Sequence, residues 1–203
     1  MSNFCRQKDY SRKNTGTREV KPRILIVCEG TKTEPNYFEA FKISTLDVQV
    51  EGTGMNTDSL VREAIRFKTE AGMRGDPFDY IWAVFDRDSF LAQNFNNALQ
   101  LAEKNNIKVA YSNEAFEIWY MLHFNYYNTG MARSQYPKIL TEQLGRQYEK
   151  NEVGMYEELK EKQPTAIRNG KKLMEVYGTN HNPHRDNPCT KVFELVEFLN
   201  LHI

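Results

Sequence analysis

The sequence predicts an α/β fold in which a small parallel sheet is flanked by helices and is followed by a mostly helical C-terminal portion. Two continuous apolar runs, ILIVC at 24–28 and YIWAVF at 80–85, are typical of strands that are buried on both faces of a sheet. Predicted strands also alternate with predicted helices up to residue 125. That alternation favours parallel strands joined by crossover helices.

The first part of the chain is predicted to contain four pairs of a strand and a helix. Pro35 stands where a helix can begin, since proline fits the first helical turn. Thr57 and Asp58 can cap the second helix through their side-chain oxygens. In chain order the predicted pairs are strand 24–28 with helix 36–42, strand 47–51 with helix 59–71, strand 80–85 with helix 94–106, and strand 107–111 with helix 115–124.

The rest of the chain divides into a polar N-terminal segment and a helical C-terminal portion. Residues 1–22 are polar and basic, which is typical of a flexible tail, although such a segment can also order on phosphates. Helices are predicted at 137–145, 155–162, 165–176 and 190–201. The predicted organisation is therefore a tail at 1–22, a catalytic core at 23–125, and a helical portion at 126–203 that packs on the core.

Composition excludes several classes of protein. The chain has 203 residues, of which 27 are Lys or Arg and 27 are Asp or Glu, so a nucleic-acid-binding surface would have to be local. Three widely spaced cysteines without a CxxC pair argue against a disulfide framework or a zinc knuckle and favour a reduced, cytoplasmic protein. We expect no signal peptide and no membrane association, because the N-terminus is polar and the apolar runs are short.

Acidic side chains follow two of the predicted buried strands. Glu29 follows the first strand, and Asp86 and Asp88 follow the third. Ligands of open parallel sheets bind beyond the carboxyl ends of the strands, and alternate residues of an extended chain point the same way. The three acids can therefore hold one or two Mg²⁺ or Mn²⁺ ions, which can activate water and stabilise charge on a phosphoryl group. The alternative is that they are ordinary strand-end acids that cap helices or pair with Arg87.

Two further acids allow more than one interpretation. Glu117 lies in an apolar stretch and must find a partner or shift its pKa, so it is either a catalytic residue, as metal ligand or general base, or an acid bonded at the edge of the core. Glu34 is either a metal ligand or a first-turn residue that favours the helix dipole. His123 is interpreted as a structural histidine.

Basic residues at four places along the chain are predicted to contact nucleic acid. Histidine and arginine in the loop TNHNPHRDNPCT at 179–190 can grip phosphate, and a basic cluster precedes that loop. The alternatives are a solvated loop and a solvated helix face. The predicted nucleic-acid-binding residues are Lys32, Arg87, Lys171, Lys172, His184 and Arg185.

The acidic motifs resemble those of the Toprim domain, which topoisomerases, primases, OLD-family nucleases and small maturation RNases share. That domain carries Glu after its first strand and Asp-x-Asp after its third, as Glu29, Asp86 and Asp88 stand here. The resemblance implies that these acids bind metal, as in the OLD-like nucleases. In topoisomerases and primases the Glu acts in acid/base chemistry, and the resemblance implies that role for Glu29 as the other possibility.

The sequence resembles the RloB-like family more closely, from residue 23 to about residue 200. Three segments, ILIVCEGTKTEPNYF, WAVFDRDSF and NPCTKV, match motifs of that family. A further motif is matched by Ser112, Asn113, Phe116, Glu117, Trp119 and His123. The sequence departs from the family at Glu114, where a small residue or proline is expected, and at Cys189, where serine is expected.

This resemblance implies an effector of a bacterial antiphage or abortive-infection system, with an AAA/ABC-type ATPase encoded nearby as its partner. We therefore expect metal-dependent hydrolysis of phosphodiester bonds in DNA or RNA, tRNA included. The alternatives are a non-catalytic module with a relic site that binds nucleic acid or the ATPase, and an enzyme that transfers nucleotidyl or phosphoryl groups. Topoisomerase chemistry is disfavoured, because none of the eleven tyrosines lies in a recognisable motif. The choice of substrate and the oligomeric state stay open.

Overall fold

A computed structural model describes residues 20–87 and 92–203, and within these ranges the chain forms one five-stranded sheet with helices on both faces. The strands are β1 (Arg23–Cys28), β2 (Asp47–Gly52), β3 (Tyr80–Asp86), β4 (Lys108–Asn113) and β5 (Cys189–Thr190). The helices are α1 (Thr33–Glu39), α2 (Thr57–Met73), α3 (Ala92–Lys104), α4 (Glu117–Leu122), α5 (Tyr136–Leu144), α6 (Met155–Leu159), α7 (Gln163–Tyr177) and α8 (Val192–Asn200).

The sheet has the order β2-β1-β3-β4-β5. The first four strands run parallel and β5 runs antiparallel to β4. Cys28 pairs with Val84 and Asp86 pairs with Ser112, so the carboxyl ends of β1, β3 and β4 finish at one edge. The predicted α/β class with a mostly parallel sheet flanked by helices is confirmed.

The central strands are apolar throughout because each of their faces is covered by a separate layer of helices. In β1, Ile24 and Ile26 belong to the core on one face, whereas Leu25 and Val27 belong to the core on the other. Helices α2 and α3 cover the Leu25 face, and α1 together with α4 to α8 covers the Ile24 face. A strand that is buried on both faces loses the usual alternation of polar and apolar residues.

Helix α1 begins earlier than predicted. The prediction placed it at 36–42, but it spans Thr33–Glu39, and Asn36 N–H donates to the carbonyl of Lys32 at 2.8 Å. Pro35 therefore lies inside the first turn, where its missing N–H costs no helical hydrogen bond. This earlier start places Glu34 in the helix, on the side that matters for the site described below.

The C-terminal portion contributes a strand that the sequence did not predict. The predicted helix 190–201 begins at Val192, and the two residues before Lys191 pair with the end of β4. The Thr190 hydroxyl accepts from Val192 N–H at 3.2 Å and lies 3.1 Å from the Ser112 hydroxyl. A strand of two residues has no periodic pattern, so only the tertiary contact reveals it.

Two further observations concern burial and helix character. Cys28 and Cys189 are buried free thiols, and Cys5 lies outside the described residues. Within 20–87 and 92–203, no helix is both long enough and apolar enough to cross a membrane. Most of the predicted tail, residues 1–19, also lies outside the described residues.

Candidate functional site

A cavity of about 370 Å³ opens at the carboxyl ends of β1 and β3 and is lined with carboxylates. Glu29 and Asp86 come from the strand ends, Glu34 from α1, and Glu117 from the first turn of α4. The cavity lies where the parallel-sheet topology places ligands. The third acid of the predicted set, Asp88, lies outside the described residues.

Glu29 and Asp86 are in direct contact although 57 residues separate them along the chain. The Glu29 carboxylate accepts a hydrogen bond of 2.9 Å from the backbone N–H of Asp86. The backbone N–H of Glu29 in turn donates to the carbonyl of Val84 at 2.9 Å, which continues the ladder between β1 and β3. The register of these two strands therefore brings the two predicted acids to the same rim.

Glu34 is almost completely buried, with 5% of its surface exposed. Gly30 makes room for it, because a Cβ atom at Gly30 would stand 2.1 Å from a Glu34 carboxylate oxygen. Glu34 lies in the first turn of α1 and also lines the cavity, so the two interpretations of this residue are compatible. The glycine of the Glu-Gly motif thus has a steric role.

Glu117 lines the cavity, whereas its neighbour in the motif, Glu114, is used elsewhere. Glu117 is 7% exposed, and the Tyr148 hydroxyl donates to its carboxylate at 3.4 Å. The Glu114 carboxylate accepts from Arg133 N–H at 2.8 Å and from the Asn187 side-chain amide at 3.3 Å. Of Glu114 and Glu117, only Glu117 is among the residues that line the cavity.

Burial and mutual repulsion disfavour negative charge on these carboxylates. Removal from water raises the pKa of Asp86 well above its usual range, and the charges of Glu34, Glu117 and Glu29 raise it further. Burial also raises the pKa of Glu29 to about 7, an effect that the hydrogen bond from Asp86 partly opposes. For Glu34, burial raises the pKa first and the charge of Glu117 adds to it. The cavity therefore favours protons or a cation.

The chemistry of the four acids fits a hard divalent cation, because carboxylate oxygens are the ligands that Mg²⁺ and Mn²⁺ prefer. Their present placement does not form a finished metal site: within 20–87 and 92–203, no three Asp, Glu, His or Cys side chains are arranged to hold an ion. Only the Oε2 atom of Glu29 accepts from the Asp86 N–H, and a carboxylate has a second oxygen that it can offer to a cation.

Two basic residues line the same cavity, and the sequence analysis missed both. Arg133 precedes α5, and its positive charge lowers the pKa of Glu29. Lys150 precedes α6, and its positive charge lowers the pKa of Glu34. Arg133 lies in a single 3-10 turn (Arg133–Gln135) and Lys150 lies in an irregular segment, and no motif or periodic pattern indicates a role for either residue.

The residues predicted to bind nucleic acid do not line this cavity. Lys32 is exposed just before α1. Lys171 forms an ion pair of 2.5 Å with Glu197, and the Lys172 ammonium lies 4.3 Å from the centre of the Tyr126 ring. These residues occupy separate surfaces, and their role in binding nucleic acid stays a prediction.

Arg87 and the 179–190 loop form a second cluster beside β4. An Arg87 guanidinium nitrogen lies 3.0 Å from Nε2 of His184, and Arg185 pairs with Asp186 at 3.1 Å. The Asn113 side chain donates to the carbonyls of Pro183, His184 and Asp186 at 3.1–3.2 Å. The loop is therefore fastened to the end of β4, which gives the Asn113 and NPCT motifs a structural role.

His123 is buried, as expected of a structural histidine. Its Nδ1–H donates to the carbonyl of Trp119 at 2.9 Å, and burial lowers its pKa to about 4. Its Nε2 atom is buried without a hydrogen-bond partner in the described part of the chain. His123 therefore stays neutral at physiological pH.

A family model described as RloB-like protein matches residues 24–199, which is most of the chain. No curated protein matches the sequence.

Proposed function

Since the chain belongs to the RloB-like protein family, we propose that it is a metal-dependent nuclease whose active site is the carboxylate cavity. The observation that carries the proposal is the convergence of Glu29, Asp86, Glu34 and Glu117 on one cavity at the carboxyl ends of the central strands. Isolated strand-end acids would avoid such mutual repulsion. The proposal includes a Toprim-like relationship between Glu29 and the Asp86-x-Asp88 motif.

The residues would divide the work as follows. Asp86, Glu29 and Asp88 would hold Mg²⁺ or Mn²⁺, with Glu117 as a further ligand or as the group that orients water. The bound cation would supply an activated water and stabilise charge on the phosphoryl group. Tyr148 positions Glu117 through its hydrogen bond, and the Asp86 N–H fixes the rotamer of Glu29.

The biological setting follows from the family and is part of the same proposal. The protein would act in the cytoplasm as an effector of a bacterial antiphage or abortive-infection system. Its substrate would be DNA or RNA, and an AAA/ABC-type ATPase would be its partner.

Metal binding and cleavage test the proposal directly. The full-length protein should bind Mn²⁺ in calorimetry and, alone or with its ATPase, should cleave labelled DNA or RNA in Mg²⁺ or Mn²⁺ but not in EDTA. Asp86→Asn should abolish both Mn²⁺ binding and cleavage while the protein stays folded. Glu103→Gln, which changes an exposed acid on α3, is the matched control and should leave both unchanged. Failure of the wild-type protein to bind Mn²⁺ would overturn the proposal.

One observation favours a second candidate, a non-catalytic module with a relic site. The described acids do not already form a three-ligand metal cluster. A module of this kind would bind nucleic acid or the ATPase equally well with Asp86→Asn, and it would show no cleavage with the ATPase present. A full loss of antiphage protection by Asp86→Asn would exclude it.

A further inference from the structure

The segment between α5 and α6, residues 145–154, lies against the entrance of the carboxylate cavity. Gly145 and Gly154 have φ values of 69° and 106°, which other residues rarely adopt, and these values fix the two ends of the segment. Arg146 pairs with Glu152 at 2.9 Å inside the segment. We call residues 145–154 the cavity loop.

Hydrogen bonds fasten the cavity loop to α1. The Thr33 hydroxyl donates to the Asn151 side-chain oxygen at 2.9 Å, and the Asn36 amide donates to the Asn151 carbonyl at 3.1 Å. Tyr148, in the same loop, contacts Glu117. The loop is therefore held on two sides of the acid cluster, and its position places Lys150 on the cavity lining.

Arg133 reaches the cavity from a different segment. Its backbone N–H donates to Glu114 at 2.8 Å, which anchors the residue just before α5. Its charge lowers the pKa of Glu29, whereas the charge of Lys150 lowers the pKa of Glu34. The two cations thus lower the pKa values of different acids in the cluster, and both line the cavity.

We propose that Lys150 and Arg133 bind the substrate phosphate beside the carboxylates, so that the cavity accepts a metal-bound phosphodiester. A phosphate would bridge the cation held by the acids and the two basic side chains. Arginine can bind two phosphate oxygens through its planar fork, and lysine acts as a compact charge. The inference rests on the proposed nuclease function and deepens it. It assigns phosphate contact to residues other than the six predicted from sequence.

The side chains have the exposure that this role requires. Lys150 is exposed and Arg133 is half-buried, so both can reach a ligand that enters from solvent. A purely structural role would predict that their removal changes folding stability and metal affinity. A phosphate-binding role predicts instead a change in nucleic-acid affinity and in its dependence on salt.

The test uses the full-length protein with Lys150→Gln, Arg133→Gln and the double variant. Lys138→Gln on α5 is the matched control, because it removes an exposed lysine that does not line the cavity. Binding of short fluorescein-labelled single-stranded DNA and RNA is measured in Ca²⁺ over a range of salt. Each cavity variant should weaken binding about tenfold and lower the salt slope by about one. Lys150→Arg should restore most of the affinity.

Separate measurement of Mn²⁺ affinity distinguishes the two levels of the proposal. If the wild-type protein binds neither Mn²⁺ nor nucleic acid, the proposed function and this inference both fail. If it binds both, but the cavity variants match Lys138→Gln in affinity and salt slope, only the inference fails. If a cavity variant has a lowered Tm, its salt slope is compared with that of the Lys150→Arg variant. A slope equal to that of Lys150→Arg overturns the inference.

Discussion

The carboxylate of Glu29 is hydrogen-bonded to the backbone N–H of Asp86, so the acid that ends β1 is held directly against the acid that ends β3. This contact is made possible by the parallel register in which Cys28 faces Val84. The contact holds the Glu29 carboxylate in the cluster, where the charge of Glu34 raises its pKa.

Glu29→Gln should stabilise the metal-free protein at alkaline pH. The pKa of Glu29 is raised from its ordinary value to about 7, so the folded protein keeps a proton that the unfolded chain releases. The stability contributed by Glu29 is therefore fully present below pH 4.5 and is lost as pH rises through 7. Thermal unfolding in EDTA should show a higher Tm for Glu29→Gln than for the wild type at pH 8, and equal Tm values for the two proteins at pH 4.5.

The control for this prediction is Glu103→Gln on the exposed side of α3. The difference in Tm between pH 8 and pH 4.5 should be the same for this variant as for the wild type. Equal behaviour of Glu29→Gln and Glu103→Gln would show that Glu29 is not disfavoured as an anion.

Divalent metal should stabilise the wild-type protein and should fail to stabilise Asp86→Asn. A ligand that binds only the folded state at about 100 times its Kd adds about 2.7 kcal/mol to the free energy of unfolding. Chemical denaturation with and without Mn²⁺ measures this gain. Without metal, Asp86→Asn should unfold no more easily than wild type at pH 8, because the charge that it removes is unfavourable there. An equal gain from Mn²⁺ in both proteins would contradict the assignment of Asp86.

Gly30→Ala should change the free energy of Mn²⁺ binding by more than it changes the free energy of unfolding. The added Cβ would collide with the Glu34 carboxylate, which is the end of a side chain and can move, but the move displaces a carboxylate that lines the cavity. We expect Mn²⁺ affinity in calorimetry to fall about tenfold, which corresponds to about 1.4 kcal/mol.

Gly72→Ala is the matched control for Gly30→Ala. Gly72 lies in α2, where a Cβ atom would meet nothing within 4 Å, so the substitution should stabilise the helix by up to about 1 kcal/mol. Metal affinity should stay at the wild-type value. Normal Mn²⁺ binding by Gly30→Ala would show that the position of Glu34 does not matter for the metal.

His123 should make the free energy of unfolding fall as the pH is lowered. Its folded pKa of about 4 lies below the ordinary value of 6.5, so the unfolded chain binds a proton that the folded protein excludes. The contribution is fully present above pH 6.5 and is lost as pH falls toward 4, by at most about 3 kcal/mol. Urea unfolding at pH 7 and pH 5 should show that the free energy of unfolding falls less between these pH values for His123→Leu than for the wild type. Parallel pH profiles of the two proteins would refute this.

The sheet and two of the cavity acids were predictable because they depend on local patterns. Continuous apolar runs mark β1 and β3, and the polar residue after each run is the one that the topology places at the rim. That logic led to Glu29 and Asp86, which the structure brings into contact. Asp88, from the same motif, lies outside the described residues and stays a prediction.

Other parts of the site could not be predicted, because they depend on which segments meet in space. Lys150 lies in an irregular segment and Arg133 in a single 3-10 turn, and only the packing of the helical portion brings them to the cavity. The choice between Glu114 and Glu117 depends on which acid the Arg133 backbone captures. The two-residue strand β5 has too few residues for a period, so its pairing with β4 was invisible in the sequence.

The pairing of β5 with β4 has a consequence for synthesis on the ribosome. Asn113 faces Cys189, so the last strand of the sheet arrives only after more than a third of the chain has been added beyond its partner. Until then Ser112 and Asn113, at the end of β4, lack the strand that pairs with them, and unpaired strand backbone can pair with another chain. Closing so long a loop is slow compared with local helix formation. The end of β4 that carries Ser112 and Asn113 is therefore completed only late in synthesis, after the other four described strands have been made.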